Sequence, residues 1–302
     1  MEPLLRQAPI ASRSLHAAAA LGHALLARAD RGEAWHACSL VEGPAVVLGA
    51  RQRRAAVTPS AEVVRRRSTG TAAWVGGRAL WCSLALPSVA ALYEDATLAT
   101  LLNRNVRPWL RGFTRSGIPA AYFGREWVAV AHRPAAVLGY DLSPAGAVLL
   151  EMIAGWDEPV ALPAEHAAPD ERALDRWRGR SPVALGEGRD PWSVLAALAA
   201  SVAERAGAVE TAPEPAVEPW APAEPPDEAA GVGVPIGRVE AARLGGGVLW
   251  LGGDALAATP WLDALGEAIA RGGEWPTEGA AVDGARPGDW ARAAGALRPR
   301  GA

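Results

Sequence analysis

Lysine is missing altogether: the 30 basic residues of this 302-residue chain are all arginine. No reaction that depends on a lysine ammonium can be run by it. Phenylalanine and tyrosine are scarce, two and three residues against thirteen tryptophans, so indoles carry most of the aromatic packing. Cysteine occurs twice, at Cys38 and Cys82, without metal-ligand spacing. That excludes a disulfide framework and a cysteine-based metal site, and fits a reducing, cytoplasmic compartment. No stretch approaches the roughly 20 apolar residues of a membrane span. Charge of one sign is lacking too: 30 basic residues stand against 33 acidic ones, which gives no push toward nucleic acid or anionic lipid.

Half of the residues are apolar, enough for a sizeable core in one large domain or two. From Ser14 to about Arg28 the apolar residues recur at helical spacing with Ser14 as cap, and His16 and His23 read as exposed histidines of that helix rather than as ligands. Ala27-Arg28-Ala29 looks like a signal-peptide cleavage site, yet the histidines interrupt the apolar run and favour the helix. Glu33 to Leu40 and Ala45 to Leu48 read as strands. A helix kinked at Pro108 is expected from Asp95 to Thr114, strands over Tyr122 to Val130, Ala135 to Tyr140 and Ala145 to Ile153, and a helix entered through Asp190-Pro191. Val209 to Gly231 is rich in proline and glutamate with almost nothing to bury, and reads as an extended, solvated linker. Two strands and a helix, Trp261 to Arg271, follow it. The expected fold is α+β, a mixed sheet flanked by helices, with a first domain over 1–208, a linker over 209–231 and a small β-β-α domain over 232–302.

The stretch Val63 to Leu86 carries the chemistry. Three arginines, Arg65, Arg66 and Arg67, run into a small-residue turn, Ser68-Thr69-Gly70-Thr71-Ala72, and then into a β-prone run. Small side chains let backbone N–H groups approach a ligand, and guanidinium forks beside them can hold a phosphate or carboxylate. This stretch resembles the lipoate-protein ligases, whose strand-loop-strand element reads Arg-Arg-x-Gly-Gly-Gly-Ala, a small residue, an aromatic, then His-Asp-x-Gly-Asn. Arg66, Arg67, Ser68, Gly70, Ala72 and Trp74 fall on matching positions, while Thr69 and Thr71 replace two glycines and Val75, Gly76 and Ala79 stand for the His, Asp and Asn. Leu48-Gly49-Ala50-Arg51-Gln52 is similar to the family's Leu-Gly-x-x-Gln step, and the β-β-turn-α order after the linker to its accessory domain.

The resemblance implies an acyl and acyl-adenylate pocket built from residues 66–72, Trp74 and the turn at His132, Arg133 and Pro134; Trp74 and Trp81 read as core and strand packing or, alternatively, as walls of an acyl tunnel. At that turn the family's catalytic lysine is replaced by Pro134, which leaves Arg133 as the neighbouring cation. Three readings follow. The chain is a non-catalytic relative that binds an acyl or lipoyl group or a lipoyl domain; or an active ligase using ATP, magnesium and lipoate or octanoate; or an octanoyltransferase working through Cys82 or Cys38. The implied partners are a lipoyl-domain protein or an acyl small molecule, and the expected state is a monomer.

Overall fold

The computed structural model describes residues 4–217, 224–226, 228–276 and 285–297. Its centre is four long strands buried on both faces, as continuous apolar runs dictate. Strands β1 (Leu5–Gln7) and β2 (Ala11–Ser12) lead into α1 (Leu15–Ala29), where the Ser14 hydroxyl accepts from the Ala17 N–H. β3 (Ala34–Glu42), β4 (Ala45–Leu48), β5 (Val63–Arg65), β6 (Ala73–Val75) and β7 (Arg78–Leu86) follow. After α2 (Leu101–Asn105) and α3 (Arg107–Arg115) come β8 (Ala120–Ala121), β9 (Trp127–Val130), β10 (Arg133–Leu142) and β11 (Val148–Gly155). The chain continues through α4 (Pro169–Arg172), α5 (Pro191–Ala206) and β12 (Val209–Thr211). It ends in β13 (Ala230–Val234), β14 (Gly237–Arg243), β15 (Leu249–Gly253), α6 (Thr259–Arg271) and α7 (Pro287–Gly295).

The main sheet has the order β12-β1-β3-β7-β11-β10-β9-β8, with β2 beside β3. β1 runs parallel to β12 and β3, whereas β3 to β9 pair antiparallel, so the sheet is mixed as expected. Alternation along β7 divides the core. Leu80, Cys82, Leu84 and Leu86 meet Trp109 of α3 and Leu198 of α5, while Trp81 faces α1 and a small sheet ordered β5-β4-β6. The fold is thus helices on both faces of a mixed α+β sheet.

Several expectations shift in detail. The helix expected from Asp95 to Thr114 is broken at Val106, and Pro108 falls in the first turn of α3, where its missing N–H leaves nothing unpaired. The strand expected from Tyr122 shrinks to β9, since Gly124 takes a φ of 70° before it. Gly146, at φ 93°, delays β11 to Val148. The 209–231 segment is not wholly a solvated linker. β12 covers the open edge of β1, Ala230 and Gly231 belong to β13, and Glu214 and Glu224 pair with Arg13 and Arg65.

The C-terminal unit is a three-stranded antiparallel sheet with two helices, one strand and one helix more than expected. It packs on the first unit through one continuous apolar cluster that contains Leu138 and Tyr140 together with Val239 and Leu256. A buried carboxylate pins the two. Asp254, 2% exposed, accepts from Gln52 Nε2 at 2.6 Å, Arg176 Nε at 3.0 Å and the Arg238 N–H at 2.9 Å. Asp254→Ala is expected to lower unfolding free energy by about 2–4 kcal/mol, because it leaves two donors and one side of the Arg176 guanidinium unmet while Arg176 keeps Glu171. Arg271→Ala, which breaks an exposed i,i+4 pair, should cost below about 0.5 kcal/mol. Urea denaturation of both variants checks the contrast.

Candidate functional site

The loop 66–72 lies across the middle of β10. The Thr69 N–H donates to the Tyr140 carbonyl at 3.0 Å, and its hydroxyl reaches the same oxygen at 2.9 Å. The approach is too close for side chains: a Cβ on Gly139 would sit 2.3 Å from Ser68 Oγ, and one on Gly70, at φ 108°, 2.8 Å from Leu256 Cδ2. From the other side the C-terminal unit closes over the loop, with the Ala257 N–H donating to Thr69 Oγ1 at 3.3 Å.

Each of the three arginines has partners within the chain, although Arg65 Nε and Arg66 Nε and Nη1 are buried without a hydrogen bond among the described residues. Arg65 donates from Nη1 to the Gly49 and Gln52 carbonyls and from Nη2 to Glu224. Arg66 is fully buried, its Nη2 donating to the carbonyls of Thr69 at 3.2 Å and Thr71 at 3.1 Å. Burial pulls its pKa down to about 10 against the opposing charge of Glu151, so it stays a cation at neutral pH. Arg67 forms an ion pair with Asp141. Asp141 is itself buried and accepts from the Thr259 N–H at 2.7 Å; burial pushes its carboxyl upward, opposed by Arg67.

Beneath the loop lies a second buried acid. Glu151 Oε2 accepts from the Ser68 N–H at 3.0 Å, and Oε1 from Trp81 Nε1 at 3.1 Å. The backbone N–H and indole that could face an external carboxylate or phosphate therefore face an internal one. Trp81 is buried, and Trp74 donates to Glu158 at 2.9 Å and stacks on His166 at 4.6 Å.

The turn at 131–134 is elsewhere. Ala131 and His132 have φ of 48° and 62°, and the exposed Arg133 donates to the Ser181 and Pro182 carbonyls, both at 2.9 Å. His132 stacks on Phe123 at 5.7 Å, and Pro134 is buried in β10 opposite Ala129. From Pro134 to Gly139 is roughly 17 Å at the rise of a strand. The structure brings Arg66, Arg67, Ser68, Thr69, Gly70 and Thr71 together around β10 and leaves His132, Arg133 and Pro134 at the far end of that strand.

Ala72 borders a different space. A cleft of about 200 Å³ is lined by Ala72, Val57, Leu162, Leu174 and Trp177, with Gln52, Glu171, Arg172 and Arg176 at its polar side. Arg172 anchors its Nε on the Ala167 carbonyl, and Arg176 bridges Glu171 and Asp254. The two cysteines lie opposite one another on β3 and β7, fully buried, Sγ to Sγ 3.4 Å. Among the described residues no cluster of His, Cys, Asp and Glu could hold a metal ion.

No family model matches the sequence, and no curated protein does. Solved structures do match. The P. falciparum LipL1 structure in complex with lipoate aligns with a TM-score of 0.58 at 12% identity, over 84% of this chain and 85% of that one. The bipartite lipoate protein ligase of Thermoplasma acidophilum, described with its E2 lipoyl domain, aligns at 0.54 and 14% identity, over 70% and 86%. A lipoate-protein ligase A bound with ATP aligns at 0.52 and 12% identity, over 70% and 88%. The fold is that of the lipoate-protein ligases.

On this ligase fold the residues that matter most around the loop are ones the sequence reading passed over: Glu151, Asp141 and the segment 254–259. A signal was present. A lone acid in an apolar strand, Glu151 in VLLEMIAG or Asp141 in VLGYDL, must find buried partners. Glu151→Gln is expected to cost about 2–3 kcal/mol, because an amide cannot accept as well from both donors. Glu151→Leu should cost at least as much, since it leaves the Ser68 N–H and the indole N–H unmet. Chemical denaturation followed by tryptophan fluorescence measures both; a neutral Leu variant contradicts the arrangement.

Proposed function

We propose that this chain is a non-catalytic protein on the lipoate-ligase scaffold that binds an acyl or lipoyl group, free or carried on a lipoyl domain, in the cleft beside Ala72. The observation that carries the reading is the internal pairing of the Arg-rich loop's main donors: Arg66 Nη2 on its own carbonyls, Arg67 on Asp141 and the Ser68 N–H on Glu151, with Arg66 Nε and Nη1 buried and unpartnered among the described residues. Acyl adenylation needs free donors aimed at the developing charge on phosphate and carbonyl. Here Arg67, the Ser68 N–H and Arg66 Nη2 already have acceptors, the two remaining Arg66 nitrogens are buried, lysine is absent, and Arg133 points to Ser181 and Pro182.

The cleft supports the binding half. Its wall of Val57, Leu162, Leu174 and Trp177 suits a short aliphatic chain, and Arg172 at its polar side suits a carboxylate or amide oxygen. A lipoyl-domain partner is supported by the T. acidophilum neighbour, which is described together with such a domain. On this reading neither ATP nor magnesium is required, and a cytoplasmic location goes with the two unlinked thiols. An active ligase would have to release Arg66 and Arg67 from buried acceptors during turnover. A thiol route would have to bring an acyl donor to Cys38 or Cys82, both of which are 1% exposed or less.

Two assays decide. ATP-pyrophosphate exchange with lipoate or octanoate is expected to stay at background, and exchange dependent on either acid would establish the active ligase instead. Octanoate, lipoamide or a lipoylated lipoyl domain is expected to raise the melting temperature, by an amount equivalent to about 2.7 kcal/mol at a hundredfold excess over Kd. Leu162→Trp, which fills the cleft, should abolish that shift. No stabilisation by any of the three ligands would remove the reading.

A further inference from the structure

Beyond β12, the described residues of the Pro/Glu-rich segment form ion pairs with the body of the protein through two glutamates, each followed by proline: Glu214-Pro215 pairs with Arg13, and Glu224-Pro225 with Arg65. Both arginines are buried, with side chains 5% and 6% exposed, whereas Glu224 is 74% exposed. Buried guanidiniums facing solvated carboxylates describe a receptor site and a displaceable ligand better than a structural ion pair.

The receptor is visible around Arg65. A groove of about 450 Å³ runs between α1 and β5, floored by Ala19, Ala61 and Val64 and flanked by His16, Arg54 and Arg65. Glu224 lies in it, its Oε2 3.2 Å from Arg65 Nη2. The groove holds more than one carboxylate needs. Arg65 Nε is buried and has no hydrogen-bond partner among the described residues, and burial pulls the guanidinium's pKa down, opposed by Glu224. Unmet buried donors of this kind call for a further acceptor.

Proline after glutamate holds the glutamate backbone extended, so its carboxylate is presented sideways at little conformational cost. We propose that the groove between α1 and β5 is a docking site for an extended, proline-flanked acidic segment of a partner protein, occupied in cis by Glu224 as a displaceable stand-in. A single carboxylate this exposed is held weakly. What keeps it in place is its tether, through high effective concentration, and a partner segment carrying several acids displaces it. The groove and the cleft beside Ala72 share no lining residue, so this docking site stands or falls independently of acyl binding.

The probe is a fluorescein-labelled synthetic peptide of residues 211–228, titrated by anisotropy into the full-length chain. Glu224→Gln should bind it about tenfold more tightly than the parent chain, because the tethered competitor is gone. Raising salt should weaken that binding, and a peptide carrying Gln in place of Glu224 should lose about tenfold. His16→Glu, at an exposed position of α1, added to Glu224→Gln should reverse the gain by placing a carboxylate in the groove. Equal affinity of the parent chain and Glu224→Gln, equal affinity of the two peptides, or indifference to His16→Glu would each overturn the proposal. Melting temperatures within a degree or so of the parent verify that both exposed substitutions leave the fold intact.

Discussion

The Glu151 carboxylate, buried in the middle of β11, sets the terms for everything around it. A charge in that position requires donors, and among the described residues it takes them from the loop above, through the Ser68 N–H, and from the neighbouring strand, through the Trp81 indole. Meeting that requirement draws the loop down onto the sheet. The same approach makes glycine necessary at position 139, threads Thr69 onto the Tyr140 carbonyl, and turns Arg66 Nη2 onto the carbonyls of its own loop. The negative charge beneath opposes the burial of that guanidinium and keeps it cationic.

Arginine's five donors explain the rest of the arrangement. In a chain without lysine, each cation near the loop is a fork that needs several acceptors once buried. Arg65 takes two carbonyls and Glu224, Arg66 two carbonyls, and Arg67 the Asp141 carboxylate. Asp141 in turn accepts from Thr259, so the C-terminal unit is fastened to the same strand that carries the loop. Asp254 fastens it a second time through Gln52 and Arg176. The lid over the loop and the floor beneath it belong to one polar network, and the usable space lies to the side, beside Ala72.

Much of this fold was legible in the sequence. Ser14 and the periodicity behind it marked α1, Asp190-Pro191 marked the start of α5, and the apolar runs marked the sheet and its mixed layout. The Arg-Arg-x-x-Gly register pointed to the ligase fold before any coordinate did. What could not be read was contact across distant segments. Nothing local to Arg66 says that its partners are carbonyls three and five residues on, and nothing in Pro134 says that its turn faces Ser181 rather than the loop. The acidic segment misled for a related reason. Its composition forecasts solvation, and only the fold shows that Arg13 and Arg65 wait for its glutamates.

Protection of individual amides tests the central claim most directly. Native-state hydrogen exchange, read by NMR or by mass spectrometry of overlapping peptides, isolates the Ser68 and Thr69 N–H groups. The account predicts that both exchange as slowly as the amides of the β7–β11 ladder, because one is held by Glu151 and the other by Tyr140. Exchange at the rate of an exposed loop would mean that these donors are free to meet an external anion, and would contradict it.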